Sequence, residues 1–312
     1  MKRHIFSLIA CQLILSVQVF AQSTPALPVP QSGKIDRIEN FASQHVQARH
    51  VDVWIPEEFE KLKASGQKFN VLYMHDGQML FDAKTTWNKQ AWNADQTVSR
   101  LMKSGQLAPT IIVGVWNNGQ FRHSEYFPEK FLPHMLEEPR QLLMKQGLKG
   151  KPQADAYLRF LVDELKPFID AKYPTHKGSA HTAIMGSSMG GLISIYALNE
   201  YPEVFGAAAG LSTHWIGIHQ ANSHIPLAAY VYLRDKLASP QSHKIYQDHG
   251  TTELDAMYAP YQNFINQIIR DKGYIENGVK PNFLTRVFEG TGHNEKAWAE
   301  RLEIPVLFLL GK

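Results

Sequence analysis

The stretch Thr182-Ala183-Ile184-Met185-Gly186-Ser187-Ser188-Met189-Gly190-Gly191-Leu192-Ile193-Ser194-Ile195-Tyr196-Ala197-Leu198 reads as a short apolar strand, a G-x-S-x-G pentapeptide and an apolar helix. Ser188 stands at the apex of that turn. A strand that passes straight into a helix holds its apex residue in a strained backbone, and side chains on the flanking positions would collide, so glycine is needed on both sides. The serine is thereby raised above the end of the sheet. The first turn of the following helix adds backbone N–H groups and a positive dipole end, which favour negative charge developing nearby. The bare pentapeptide arises by chance in about one such chain in ten, so its strand–turn–helix setting carries the reading.

Working outward, short apolar runs alternate with helical patterns. Ile35 to Phe41 and Arg49 to Ile55 alternate like half-buried strands and are expected to open the domain as an antiparallel pair. Phe69 to Met74, Thr110 to Trp116, Thr182 to Met185, Phe205 to Leu211, Lys244 to Tyr246 and Phe283 to Phe288 have the continuous apolar character of buried parallel strands. Between them, Ala154 to Tyr173 places Tyr157, Phe160, Leu161, Leu165, Phe168, Ile169 and Tyr173 at steps of three and four, which predicts a helix kinked at Pro167. The pattern is that of an α/β fold with a mostly parallel central sheet and helices on both faces. Ligands of such sheets bind at the carboxyl ends of the strands, which is where the serine turn lies.

The chain has 312 residues, 44% hydrophobic and 20% charged, as in an ordinary globular protein. Lys2 and Arg3, the apolar stretch Ile5 to Phe20 and the small residue Ala21 before Gln22 form a secretory signal over residues 1–21, followed by an exposed, proline-rich lead-in at 22–34 and a single domain over 35–312. The expected location is periplasmic or secreted, with no stable membrane insertion after signal cleavage. An alternative is a lipoprotein anchored through Cys11, since Leu8-Ile9-Ala10-Cys11 looks like a lipoprotein-processing box. The net charge of +3 falls close to neutral once Lys2 and Arg3 leave with the signal, so nothing points to nucleic acid. Cys11 is the only cysteine, which leaves the mature chain without a thiolate nucleophile or disulfide. No H-E-x-x-H or phosphate-loop motif occurs, and neither metal nor cofactor is expected.

A serine hydroxyl needs a base, and the base needs a third group to orient it. At strand–turn–helix serines the chain order is serine, acid, histidine. Of the downstream histidines, His293 follows the last strand-like run in the glycine-rich loop Glu289-Gly290-Thr291-Gly292-His293-Asn294, so it is the expected base. The segment Gln247-Asp248-His249-Gly250-Thr251-Thr252-Glu253-Leu254-Asp255 offers three carboxylates: Glu253 is preferred, Asp248 is its main rival and Asp255 ranks third.

The chain resembles the putative-esterase branch of the α/β-hydrolases, which includes enterochelin, feruloyl and esterase D-type enzymes. The likeness runs from about Ile35 to the C-terminus and is carried by Val71-Leu72-Tyr73-Met74-His75-Asp76-Gly77-Gln78 with Leu80-Phe81-Asp82, by the serine turn, by Gly250-Thr251-Thr252-Glu253 and by Gly292-His293. In relatives the acid follows a Gly-Thr pair, which is the ground for preferring Glu253, although aspartate is usual there. The resemblance implies an α/β-hydrolase fold and an oxyanion hole made by the backbone N–H groups of Met189 and Gln78, with Gly77 letting that loop approach the substrate. It also implies substrate contacts from Trp215, overhanging the cleft after a central strand, and from Arg122; Trp87 and Trp92 lie in connections that could cover the site. The implied activity is serine ester hydrolysis through an acyl-enzyme, on acylated carbohydrate or simple esters. Alternatives are a siderophore trilactone esterase, an acyltransferase with the same triad, and a non-catalytic carbohydrate-binding protein on the same fold. A trianionic siderophore would want converging cations, and only Arg122 and Lys130 stand near the expected rim.

Overall fold

A computed structural model describes residues 25–312; the signal, Cys11 and residues 22–24 of the lead-in lie outside the described residues. Eight strands form one sheet: β1 (Lys34–Phe41), β2 (Arg49–Ile55), β3 (Asn70–His75), β4 (Thr110–Val115), β5 (Thr182–Ser187), β6 (Ala207–Leu211), β7 (Lys244–Gly250) and β8 (Phe283–Phe288). Their order is β1-β2-β4-β3-β5-β6-β7-β8. β1 with β2 and β2 with β4 are antiparallel, and every later pairing is parallel. The four strands β3 to β6 are buried along their whole length, which is why they read as unbroken apolar runs.

Helices cover both faces. On one face, Met189–Glu200, His224–Lys236 and Ala259–Asp271 pack with the segment that starts at Ala154 around a core that includes Tyr73, Ile184, Leu192 and Trp215. On the other, Ala94–Lys103, Glu295–Arg301 and Glu303–Leu310 enclose Leu72, Met74, Met185 and Trp298. The single kinked helix expected from Ala154 to Tyr173 is three segments: α-helical Ala154–Arg159, a wider π-helical stretch Phe160–Leu165, and α-helical Lys166–Lys172. Pro167 sits in the first turn of the last segment, where its missing N–H costs little, and the π turns just before it absorb the irregularity.

Two departures from the expected outline matter for the site. β7 continues past Tyr246 to Gly250, which carries Asp248 into the sheet. The described part of the lead-in is docked rather than free: the N–H groups of Gln31 and Ser32 donate to the Asp95 carboxylate at 2.7 and 3.1 Å, and the Ser32 carbonyl accepts from Trp54 Nε1 at 2.6 Å.

Candidate active site

Ser188 occupies the turn between β5 and the helix Met189–Glu200 with φ 56° and ψ −123°, a conformation that residues other than glycine rarely adopt. The surrounding chain determines it. The Ser188 N–H donates to Leu211 O at 2.9 Å, while its carbonyl accepts from the N–H groups of Leu192 and His214 at 3.1 and 3.2 Å. A Cβ on Gly186 would lie 2.8 Å from the Gly190 carbonyl carbon, so the tightness of the turn explains the glycines.

His293 lies in the loop after β8, with its side chain mostly buried. Its Nδ1 pairs with Asp255 Oδ1 at 2.6 Å. Asp255 is fully buried, and its other oxygen accepts from Ser212 Oγ at 2.5 Å and from the Gly250 N–H at 2.6 Å. Burial alone would raise the Asp255 pKa, but the bonds from His293, Ser212 and Gly250 outweigh it and hold the carboxyl below the usual carboxylate range. The Trp298 ring stands edge-on to His293 at 5.0 Å and donates its Nε1–H to Ser212 Oγ at 2.9 Å, so Ser212 joins the Asp255 carboxylate to the ring packed against His293.

The partner of the His293 ring is therefore the carboxylate that ranked third in the sequence. Glu253, at φ 55°, is exposed and accepts from the His293 backbone N–H at 2.8 Å, so it buttresses the loop and leaves the ring to Asp255. Asp248 lies in the body of β7, where Arg301 forks onto it at 2.9 and 3.2 Å and Tyr246 and the Ser212 N–H complete its shell. The extra length of β7 accounts for both displacements.

On the opposite side of Ser188, the loop after β3 holds Asp76 in a left-handed conformation, φ 56° and ψ 45°, followed by Gly77 and Gln78. A Cβ on Gly77 would meet the Gly114 carbonyl at 2.5 Å, so only glycine lets this loop lie against β4. Arg122 does not reach freely into the cleft: its Nε and Nη2 fork onto Asp76 at 2.7 and 2.8 Å, and Asn117 Nδ2 adds a bond to the same carboxylate at 2.7 Å. Burial would raise Asp76, but Arg122 overrides it and keeps the carboxyl below its ordinary range. The clamp makes Arg122 a support of the loop that carries Gln78.

Trp215 departs further from expectation. It is 1% exposed, packs in the core and donates Nε1–H to Gln247 at 3.2 Å, so it does not overhang the cleft. Ser212, at φ 45°, reverses the chain after β6, and His214 takes the place beside Ser188 instead. Trp92 is likewise buried, tilted against Trp298 at 5.7 Å, whereas Trp87 is 83% exposed. Sequence reasoning missed His214, Tyr258, Ser212, Trp298 and Arg301 as parts of the site; their apolar or turn surroundings give no signal until the loops are folded together.

Two buried histidines give the fold an acid-sensitive character. Burial pushes His75 and His214 from 6.5 down to about 3. The unfolded chain takes up protons on both below about pH 6.5 while the folded chain does not, so their contribution is intact above that pH and is lost as pH falls toward 3. Each should cost about 1.4 kcal/mol per pH unit within that window, or about 2 kcal/mol between pH 6.5 and 5. Urea unfolding at pH 7.5 and 5 checks this, and His75→Gln should show a shallower pH dependence; equal slopes for the variant and the wild type would contradict it.

The family model described as "Putative esterase" matches residues 43–308. Among curated proteins, the chain is 24% identical to the uncharacterized protein YjcH of Bacillus subtilis over 57% of this chain and 60% of that one. It is 23% identical to an endo-1,4-beta-xylanase/feruloyl esterase of Xylanibacter ruminicola over 87% of this chain but only 30% of that longer protein. Among solved structures, a ferulic acid esterase superposes with a TM-score of 0.63 at 22% identity, covering 89% of this chain and 98% of the other, which shows a shared α/β-hydrolase fold. With a family match that spans β2 to β8 and the Ser188 turn, this chain belongs to the putative-esterase family.

Proposed function

We propose that the protein is an exported serine carboxylic-ester hydrolase with Ser188 as nucleophile, His293 as base and Asp255 as the acid that orients it. The observation that carries the proposal is the 2.6 Å bond from His293 to a buried carboxylate, at the same end of the parallel strands as a serine on a strained strand–helix turn. Ser188 Oγ attacks the ester carbonyl as its proton passes to His293 Nε2; the imidazolium then returns that proton to the departing alcohol, leaving an acyl-serine. Water repeats the sequence, releasing the acid and restoring the serine. The backbone N–H groups of Met189 and Gln78 receive the oxyanion in both halves. No step requires a metal or cofactor.

Acylated carbohydrate or a simple ester is the substrate class we favour. The cations expected at the rim are already neutralised, Arg122 by Asp76 and Lys130 by Glu200, which leaves little to hold a trianion. Export rests on the sequence of residues 1–21; among the described residues no helix is long and apolar enough to cross a membrane.

Hydrolysis of p-nitrophenyl acetate, butyrate and octanoate by the protein lacking its signal, beside Ser188→Ala, tests the reading. Turnover should be present in the wild type and fall to background in the variant. A folded wild type that neither turns over these esters nor reacts with a fluorophosphonate would refute it; product analysis with an added sugar acceptor would reveal transfer in place of hydrolysis.

A further inference from the structure

The chemistry above leaves one histidine beside the nucleophile without a task. His214 is 3% exposed, and its backbone N–H bonds the Ser188 carbonyl. Its Nδ1 lies 2.5 Å from the Tyr258 hydroxyl. Tyr258 is buried, with its ring 5.8 Å from the rings of both His214 and His293, and its hydroxyl neighbours the Ser188 side chain. The charged and titratable groups that surround His214 are His293, His219, His123 and Arg122, with the Tyr258 phenol on its Nδ1.

Two further observations settle which way this histidine faces chemically. Among the described residues no protein group bonds its Nε2, and that atom is not sealed off as the orphaned Nε2 atoms of His75 and His123 are. A phenol is a strong donor and a poor acceptor, whereas the bare nitrogen of a neutral imidazole is a good acceptor, so the short contact is O–H···Nδ1. Burial and the Asp255 charge keep the phenol protonated. The single ring hydrogen of His214 is then on Nε2.

We propose that Tyr258 fixes His214 as the Nε2–H tautomer, and that this hydrogen is donated to an oxygen of the bound ester, making His214 a substrate-contacting residue and Tyr258 the residue that positions it. The inference rests on Ser188 being the nucleophile. A neutral donor suits an ester or sugar hydroxyl oxygen, because it adds polarity beside the serine without placing a second imidazolium next to His293.

The two amide replacements of His214 distinguish this role from a structural one. Glutamine carries an N–H donor near the place of Nε2, while asparagine occupies the place of Nδ1 and can only answer Tyr258. With p-nitrophenyl butyrate, His214→Gln should keep kcat/KM within about threefold of wild type, and His214→Asn and His214→Leu should lose about tenfold, the range of one hydrogen bond. Tyr258→Phe should lose a similar factor. Two-bond ¹H–¹⁵N spectra, assigned by difference against His214→Gln, should show the Nε2–H tautomer in the wild type and a mixture in Tyr258→Phe. An asparagine variant as active as the glutamine one, or a wild-type His214 protonated on Nδ1, would overturn the proposal. The tautomer measurement needs no turnover, and fluorophosphonate labelling reports Ser188 and His293 separately, so failure of the esterase reading and failure of this one remain distinguishable.

Discussion

Asp255→Asn should lower kcat on p-nitrophenyl butyrate by about 10³–10⁴-fold with the fold intact, while Glu253→Gln should cost less than about tenfold. The amide keeps the shape of the side chain but removes the negative charge that steadies the imidazolium and dictates which ring nitrogen carries the hydrogen, and loss of that function in serine hydrolases has an effect of this size. Glu253→Gln still presents an oxygen to the His293 N–H, so the loop that carries the base keeps its anchor. Circular dichroism and urea unfolding would confirm that both variants fold. Should the glutamine variant lose more than the asparagine one, the acid would have to be reassigned to Glu253.

Arg301→Leu should unfold with a loss of about 3–5 kcal/mol, seen as a lowered urea midpoint at pH 7.5. Arg301 and Asp248 are both buried, and removing the guanidinium strands a carboxylate in the sheet. Burial already raises Asp248 above its ordinary value, with Arg301 opposing that rise. Without Arg301 the folded-state value climbs further, so the deficit is complete at neutral pH and shrinks as acid protonates the carboxyl. A double variant, Arg301→Leu with Asp248→Leu, should recover part of the loss because no buried charge remains; the absence of any recovery would show that the pair is not the source of the instability.

The contrast between these two carboxylates shows what the sequence could convey. β3, β4, β5 and β6 were legible because burial on both faces leaves an unbroken apolar run, and the placement of Ser188 and His293 just past strand ends was legible because each is marked by glycine. The carboxylate that meets His293 was not, because its identity depends on how far β7 extends. Lys244 to Tyr246 looked complete as an apolar run, yet the strand continues through Gln247, Asp248 and His249: the first two find side-chain partners inside the protein, and His249 bonds the Gly250 carbonyl through Nδ1. Three residues is short beside the six of β8, and that mismatch was the one available warning. Trp215 was misplaced for a related reason: the reversal at Ser212 decides whether residue 214 or 215 faces the nucleophile, and no local propensity encodes a positive φ at a serine. Arg122 was located at the right loop, but its fork onto Asp76 is a contact between segments 46 residues apart.

The docking of Gln31 and Ser32 on Asp95 bears on how this protein should be produced. A gene trimmed to begin at Ile35, the first strand-like residue, would delete two backbone donors of a carboxylate that is 0% exposed and take away the carbonyl that caps the Trp54 indole. Expression vectors should therefore retain the chain from Pro25 onward, and a poor yield from a shorter version would reflect a damaged edge of the sheet and say nothing about Ser188.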